Sequence, residues 1–364
     1  MTTLLAALLV AQAQPVDIVD AVVLAPLFDQ LPKTEFRWSR DRMRTPKISP
    51  KHEWQFDWLI TGYAGSDDRL EAKIQVFSQQ RRIENDRAHS VMRMALRLLE
   101  LNQKRMKLQQ PIAYGDPPGM IDVYLCWGGE AGGEHLFDGE RREERLVRVN
   151  TIYIYDLNSF TQSIEMAREV AHEYGHATLP AIGGFETPED WANGYLGEKL
   201  YLRWIRDLMA AGQMEPADAM GTTLEELGQW VRANVEPLED KIALNGVNVE
   251  LMSRKGPAAM NEYLGLCLYI DSIAGPMVLG RAMRLTGSNS AKDFPAAVIE
   301  AFSEYDVLEL DLPNRFKGKP IWLPVGKGKL TGGSVGKRSG AWAQVTSATG
   351  KLKLAFPEAP RSLR

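Results

Sequence analysis

Several residue types and patterns are scarce in this sequence, and each scarcity excludes a class of protein. The 364 residues include only two cysteines, Cys126 and Cys267, so the fold does not depend on a cysteine framework. The sequence leaves open whether these two cysteines form one disulfide or stay as separate buried thiols. After the first residues, no apolar run approaches the roughly 18 residues that a membrane-spanning helix needs. We therefore expect no membrane span.

Charge of one sign is not in excess either. The formal net charge is −4. A protein that binds nucleic acid usually has an excess of positive charge, so we expect no nucleic-acid partner. The exception is the C-terminal stretch from Arg315 onward, which has eleven Lys and Arg residues but only one acidic residue, Glu358. This basic tail is either a solvated surface or an attachment to an anionic envelope polymer.

The N-terminus has the pattern of a cleavable signal peptide. An apolar run from Leu4 to Ala11 leads to the small-x-small triplet Ala11-Gln12-Ala13. We expect Met1 to Ala13 to be removed and the protein to be exported, to the periplasm, the envelope or the medium. The alternative is an apolar first helix that packs on the core.

The pattern of apolar residues predicts an α+β fold. Residues 14–180 form an N-terminal α+β subdomain, with a hairpin over Phe56 to Gln79, a long amphipathic helix over Arg81 to Leu108, and strands at Met120 to Trp127 and Val149 to Leu157. The Gly- and charge-rich stretch between these two strands, Gly128 to Arg148, is predicted to be a mobile surface loop.

A helical subdomain is predicted for residues 181–310. Its helices cover about 187–211, Thr223 to Asn234, and Met260 to Leu285 with a break near Gly275 and Pro276. From residue 311 to 364 the composition changes to short β-prone segments rich in Gly, Lys and Pro, which predicts a β-rich tail.

Histidine is scarce as well, but its distribution is informative. Two of the five histidines belong to the string His172-Glu173-x-x-His176, which chance would produce in roughly one chain of this length in two hundred. An apolar stripe predicts that this string lies on a helix that ends before Pro180. The start of the helix is marked by Ser159, with Gln162 three residues later at the spacing of a capping box. Residues four apart share one helix face, so both imidazoles can reach a single metal ion.

The string HEYGH on a helix that follows a strand resembles the zincin metallopeptidases. The glycine and third histidine of the metzincin branch are missing here, since Leu179 and Ile182 occupy those positions. The similarity is therefore to the gluzincins, the thermolysin-like and aminopeptidase-like cores. This resemblance implies a Zn2+ cofactor, His172 and His176 as ligands, and Glu173 as the base that activates water for attack on a peptide or protein substrate.

Gluzincins take their third ligand from a glutamate on the next helix, and two residues are candidates. Glu189 would lie in the first turn of a helix that begins at Thr187, with Asn193 four residues later to support the first histidine through its second nitrogen. Glu198 is the rival ligand, because Gly194 and Gly197 would let this helix approach the motif helix closely.

Two further points stay open at this stage. Gluzincins usually have a tyrosine or histidine that donates to the oxyanion, and Tyr263 or His135 could serve. The alternative to an exported metallopeptidase is a catalytically silent relative that binds peptides or an envelope polymer. The intact base Glu173 favours the enzyme, because a binding protein has no need of it.

Overall fold

A computed structural model describes residues 17–28, 35–66, 69–79, 82–142, 145–186 and 188–356. The expected signal peptide, Met1 to Ala13, lies outside the described residues. Within them the chain has a mixed sheet, helices and a β-rich C-terminal part, so the predicted α+β class is confirmed.

A seven-stranded sheet forms the N-terminal part, in the order β1-β2-β3-β4-β5-β7-β6. Strands β4, β5 and β7 are parallel to one another, and the other neighbours are antiparallel. The sheet starts earlier than the hairpin that the sequence indicated, and that hairpin is confirmed as β3 and β4. The strands are β1 (Asp17–Leu24), β2 (Glu35–Ile48), β3 (Gln55–Ser66), β4 (Arg69–Ser78), β5 (Ile121–Leu125), β6 (Gly132–Arg142) and β7 (Arg145–Tyr155).

The expectation of a mobile loop over Gly128 to Arg148 is wrong, because β6 lies within it. Strand β6 forms a continuous antiparallel ladder with β7 from Gly132↔Tyr155 to Arg142↔Arg145. Its composition concealed it, because an edge strand exposes much of its surface and tolerates charged and small residues. The site described below lies beside this edge.

Helices pack on one face of the sheet and form most of the C-terminal half. Strand residues such as Ile121, Val123 and Ile152 share one buried cluster with the apolar face of α1. The helices are α1 (Asn85–Leu101), α2 (Ser163–Thr178), α3 (Asn193–Ala210), α4 (Leu224–Asn234), α5 (Glu236–Asn245), α6 (Val249–Met252), α7 (Pro257–Ala274), α8 (Pro276–Leu285) and α9 (Phe294–Ser303). The predicted break at Gly275 and Pro276 separates α7 from α8.

Helix α2, which bears the HEYGH string, ends as expected but begins later. Gln162 rather than Ser159 is the residue before the first helical turn, and Phe160 has an extended backbone. Ser159 belongs to a separate short turn, in which its hydroxyl donates to the carbonyl oxygen of Asp156 at 2.8 Å. The capping-box prediction is therefore wrong.

Helix α3 also begins later than predicted, at Asn193. The predicted N-cap, Thr187, lies outside the described residues, and residues 188–192 are not helical. The chain instead folds back on itself, with backbone hydrogen bonds from Gly184 to Asp190 (3.1 Å) and from Ala192 to Ile182 (3.1 Å). These bonds satisfy backbone groups that a helix would otherwise use, so Glu189 lies on a loop.

The tail forms two three-stranded sheets, as its β-prone segments predicted. Both cysteines are buried and unpaired, so they form no disulfide with each other. None of the helices within the described ranges combines the length and the apolar character needed to cross a bilayer. The tail strands are β8 (Val307–Asp311), β9 (Ile321–Pro324), β10 (Lys329–Thr331), β11 (Ser334–Ser339), β12 (Trp342–Thr346) and β13 (Lys351–Ala355).

Candidate metal centre

Helices α2 and α3 cross in direct backbone contact at a pair of glycines. A Cβ atom on Gly197 would lie 2.6 Å from the Cα of Gly175 and 2.8 Å from the carbonyl oxygen of Ala171. Such distances are shorter than any real Cβ contact, so both helices need glycine here. The close approach expected from Gly197 is confirmed, and it brings the start of α3 against the last turns of α2.

Three donor groups meet at this crossing. The Nε2 atoms of His172 and His176 are 3.2 Å apart. Glu189 completes the cluster from the preceding loop, with Oε1 3.0 Å from His172 Nε2 and Oε2 3.2 Å from His176 Nε2. The structure therefore brings together the two histidines and the first of the two candidate glutamates.

The spacing and chemistry of these donors fit zinc. Ligand atoms at 2.0–2.1 Å around a tetrahedral Zn2+ lie roughly 3.3 Å from one another. Two imidazole nitrogens and one carboxylate oxygen also form a donor set that zinc accepts in catalytic sites, where the fourth position stays open. The distances of 3.0 Å and 3.2 Å within the cluster are close to this requirement.

Gly194 provides the space in front of the two histidines. A Cβ atom at this position would lie 2.2 Å from His176 Nε2 and 2.6 Å from His172 Nε2. Any other residue would therefore push into the place where the three donor atoms converge. The sequence analysis assigned this glycine to helix packing, whereas its closest contacts are with the two ligand nitrogens.

Glu198 approaches His172 from the opposite side of the ring. Its Oε2 is 3.4 Å from His172 Nδ1, and its Oε1 accepts a hydrogen bond of 2.8 Å from Arg168 Nε. Glu198 is buried, with 3% exposure, and the ion pair with Arg168 fixes the position of its carboxylate. This geometry is that of a group that orients a ligand through its second nitrogen.

Asn193 contacts the second histidine, which corrects the expectation that it would support the first. Its Oδ1 lies 2.9 Å from His176 Nδ1, and its amide nitrogen donates to the carbonyl oxygen of His176 at 3.2 Å. Because α3 begins at Asn193, this side chain faces the last turn of α2. Glu198, later on α3, reaches His172 instead.

Glu173 is a buried carboxyl group next to the cluster. Its side chain lies against Gly133 of β6, where a Cβ atom would be 2.5 Å from Glu173 Cγ. Glu173 is 3% exposed, and its Oε2 has no hydrogen-bond partner among the described residues. Burial raises the pKa of Glu173 to about 8. A divalent cation at the adjacent cluster would lower this pKa and favour the ionised carboxylate.

The cluster itself is strongly polarised. Burial opposes ionisation of Glu189, but hydrogen bonds with His172 and His176 outweigh it and lower the pKa of Glu189 to about 2. Burial likewise opposes protonation of His172, while hydrogen bonds with Glu189 and Glu198 raise its pKa to about 10. The site therefore concentrates negative charge around the histidines, as a cation site requires.

The two candidate oxyanion donors differ in location. His135 lies on β6 with its ring parallel to that of His176, 6.2 Å between centroids. Its Nε2 lies 2.6 Å from Asn150 Oδ1, and because the Asn150 amide donates to Ala177, Nε2 is the donor. Burial lowers the pKa of His135 to about 4, so at neutral pH its other nitrogen is an acceptor and does not suit an oxyanion.

Tyr263, the other candidate, is a buried core residue. Its ring packs between Phe185 and Phe294, with centroid distances of 6.1 Å and 5.1 Å. It is 1% exposed and belongs to the core.

Tyr195 also contacts the cluster, although the sequence did not indicate it, and its ring lies 4.8 Å from that of His172. Its place in the first turn of α3, two residues after Asn193, would have indicated this contact had the helix start been known.

A cleft of about 950 Å³ opens beside the cluster. Its lining includes the start of β6, Pro180 and Ala181 after α2, and the segment from Glu189 to Trp191 before α3. His176 and Glu173 line it as well. The arrangement gives the cleft a buried carboxylate, Glu173, and two of the three potential metal ligands, His176 and Glu189, beside the edge of a sheet.

No known protein-family model matches this chain. A search of curated proteins also found no sequence similar to it.

Proposed function

We propose that the protein is a zinc-dependent metallopeptidase of gluzincin type, in which His172, His176 and Glu189 hold the ion. The observation that carries the proposal is the convergence of these three donors beside the buried carboxylate of Glu173. When bound, zinc would polarise the carbonyl group of a peptide bond and make water a stronger acid. Residues of the protein itself would act as the base, orient the histidines and bind the substrate.

Glu173 is the general base in this proposal. Its carboxylate accepts one proton from the attacking water and returns it to the nitrogen of the leaving amine, so the products are a carboxylic acid and an amine. The partnerless Oε2 of Glu173 supports this role, because it is not engaged with another protein group. Glu198 and Asn193 hold the ring orientations of His172 and His176 through their Nδ1 atoms.

Strand β6 would bind the substrate backbone. It pairs with β7 on one side only, and no other described strand pairs with its outer edge. An extended peptide can add to such an edge through main-chain hydrogen bonds. The scissile bond would then lie along the outer edge of β6, beside Glu173, which packs against Gly133.

The alternative is a catalytically silent relative that binds peptides or an anionic envelope polymer. Polymer binding would depend on the positive charge of the basic tail, but part of that charge is neutralised. Lys351 pairs with Asp311 at 2.5 Å, and Lys353 pairs with Glu309 at 2.6 Å. This pairing supports a solvated surface for the tail. A binding protein also has no use for an unpartnered buried base.

Export is a separate part of the proposal and rests on the sequence alone. Mass spectrometry of the protein recovered from the periplasm or medium should find Gln14 as its first residue. Recovery of exported protein with Met1 intact would contradict it.

Peptide cleavage by the zinc-loaded protein tests the proposed activity directly. We expect wild type to cleave a casein digest, and Glu173→Gln to retain zinc but lose about two to four orders of magnitude in rate, since only the base is changed. Glu165→Gln, on the same helix but outside the cleft, is the matched control. An unchanged rate in Glu173→Gln would exclude its role as base, and zinc-bound wild type without activity would favour the binding protein.

A further inference from the structure

The exposed aromatic side chains of the described chain concentrate in the cleft. Phe137 on β6 is 44% exposed and Trp191 is 45% exposed, and both line the cleft. Every other phenylalanine and tryptophan in the described ranges is buried or half-buried. Scattered exposed aliphatic residues are normal on a protein surface, whereas two large aromatic groups facing one groove indicate a binding surface.

Both aromatic groups are held in place. The Phe137 ring stacks on Tyr114, with 3.8 Å between centroids and 22° between planes. Trp191 packs on Gly183, where a Cβ atom would lie 2.6 Å from the indole Cε3. Because these contacts fix the rings before any ligand binds, little side-chain entropy is lost when an apolar group enters between them.

The position of Phe137 relates it to the proposed reaction centre. Every second residue of β6 faces the cleft, namely Gly133, His135 and Phe137. Gly133 packs against Glu173, and His135 lies beside His176. Two strand residues span roughly 6.6 Å, so Phe137 lies about two peptide residues away from His135 along an extended ligand. The aromatic pair would therefore contact a side chain near the cleavage site rather than the cleaved bond.

The charges of the cleft have one sign. Four acidic residues line it, namely Glu134, Glu173, Glu189 and Asp190, and none of its described lining residues is Lys or Arg. Lys51 pairs with Glu134 on the other side of the strand, and a divalent ion would offset two further charges. Even then, no cationic side chain in the lining could pair with a carboxylate of the substrate.

We propose that the cleft selects peptide segments with a bulky apolar side chain, bound between Phe137 and Trp191, and without an acidic group near the cleaved bond. This inference rests on the proposed peptidase function and names its substrate class. A free α-carboxylate next to the cleaved bond would also lack a cationic partner, so the enzyme cuts within chains or from their amino ends. Anionic polymers are excluded from the cleft for the same reason.

Matched synthetic peptides test this selectivity. The probes are fluorescein-labelled Ala/Gly hexapeptides, amidated at the C-terminus, in which one position is Phe, Ala or Asp and is moved along the peptide. Their affinity for zinc-loaded Glu173→Gln is measured by fluorescence anisotropy, and their cleavage by wild type is measured as kcat/KM. We expect the Phe peptide to exceed the Ala peptide by at least tenfold at one position, and the Asp peptide to be weaker than Ala.

Variants in the aromatic pair locate the effect. Phe137→Ala and, independently, Trp191→Ala should reduce the ratio between Phe and Ala peptides at least threefold, whereas Leu146→Ala, an exposed apolar residue outside the cleft, should leave that ratio unchanged. A matched peptide with a free C-terminal carboxylate next to the cleaved bond should be cut more slowly than its amide. The binding arm needs no turnover, so it remains informative if either aromatic variant loses activity.

The outcomes separate this inference from the proposed function. Cleavage without a Phe preference, or equal use of Phe and Asp peptides, overturns the inference while the peptidase function stands. A Phe preference in binding, together with zinc-loaded wild type that cleaves no peptide, overturns the function while the selectivity stands. An unchanged preference in both Phe137→Ala and Trp191→Ala rejects the assignment to this pair.

Discussion

Glu189 and Glu198 lie on opposite sides of the His172 ring, and this gives them different roles in the proposed metal site. Glu189 faces the Nε2 atoms of both histidines, whereas Glu198 faces only Nδ1 of His172. A carboxylate on the Nδ1 side fixes the tautomer and raises the basicity of the ligand nitrogen. The two roles can therefore be tested by comparing the zinc affinity of a variant at Glu189 with that of a variant at Glu198.

We expect Glu189→Ala to lose zinc affinity by far more than Glu198→Ala, for which a loss of about 10–100-fold is typical of a supporting group. Competition with a fluorescent chelator measures both. Glu186→Ala is the control, because Glu186 is an exposed neighbour that pairs with Lys255. If Glu198→Ala loses the metal while Glu189→Ala retains it, the two roles must be exchanged.

The sequence predicted some of these residues and not others for a physical reason. His172, Glu173 and His176 belong to one helix, and helical spacing alone fixes their mutual positions. Glu189 and Asn193 depend on a loop whose path is set by hydrogen bonds such as Gly184 to Asp190, which no local pattern specifies. The sequence thus anticipated that Glu189 lies beside the histidines, but neither its place on a loop nor the histidine that Asn193 contacts.

At the scale of elements, the site depends on how closely α2 and α3 approach. Gly175 and Gly197 let the two backbones touch, and Asn193, Gly194 and Glu198 reach the histidines only from that distance. Alanine favours a helix over glycine by about 0.5–1 kcal/mol. A substitution that should help the isolated helix therefore tests whether the contact is essential.

We expect Gly197→Ala to lower the free energy of unfolding by about 1–3 kcal/mol, because its Cβ would meet the backbone of α2 and separate the helices. Zinc affinity should fall as well. Gly228→Ala on α4 is the matched control, since its Cβ would lie 3.5 Å from the end of the Arg232 side chain, and it should stabilise slightly. Urea unfolding measures both, and stabilisation by Gly197→Ala would refute the contact.

Element prediction succeeded where the pattern of apolar residues reflects burial. The β3–β4 hairpin, the β5 strand and the break between α7 and α8 all have such patterns. It failed at β6, whose outer edge and exposed side chains leave little apolar signal, although this strand forms a wall of the cleft. An edge strand that lines a cleft buries few of its side chains, so the apolar pattern predicts it least well.

At the scale of the whole molecule, a buried ionic network ties the helix of the site to the tail. Arg203 on α3 pairs with Glu239 of α5 and Asp271 of α7, and Arg315 of the tail pairs with the same Glu239. Trp204 donates a further hydrogen bond to Asp271 at 2.9 Å. The C-terminal sheets and the histidine cluster are thereby connected through one helix, α3.

We expect Arg203→Met to lower the free energy of unfolding by about 3–5 kcal/mol, because it removes the buried cation that Glu239 and Asp271 share. Arg206→Met, on the same helix, removes an ion pair with the half-exposed Asp207 and should cost less than about 1 kcal/mol. Denaturant unfolding compares the two variants. Equal effects would show that the network contributes no more than a surface pair.

The zinc content of the purified protein tests the central claim most directly. Wild type and His172→Ala are prepared in parallel, equilibrated with Zn2+, freed of loosely bound metal and analysed by inductively coupled plasma mass spectrometry. The arrangement of His172, His176 and Glu189 predicts one zinc per chain in wild type and almost none in the variant. Equal zinc in both proteins, or no zinc in folded wild type, would contradict the metal centre and the function built on it.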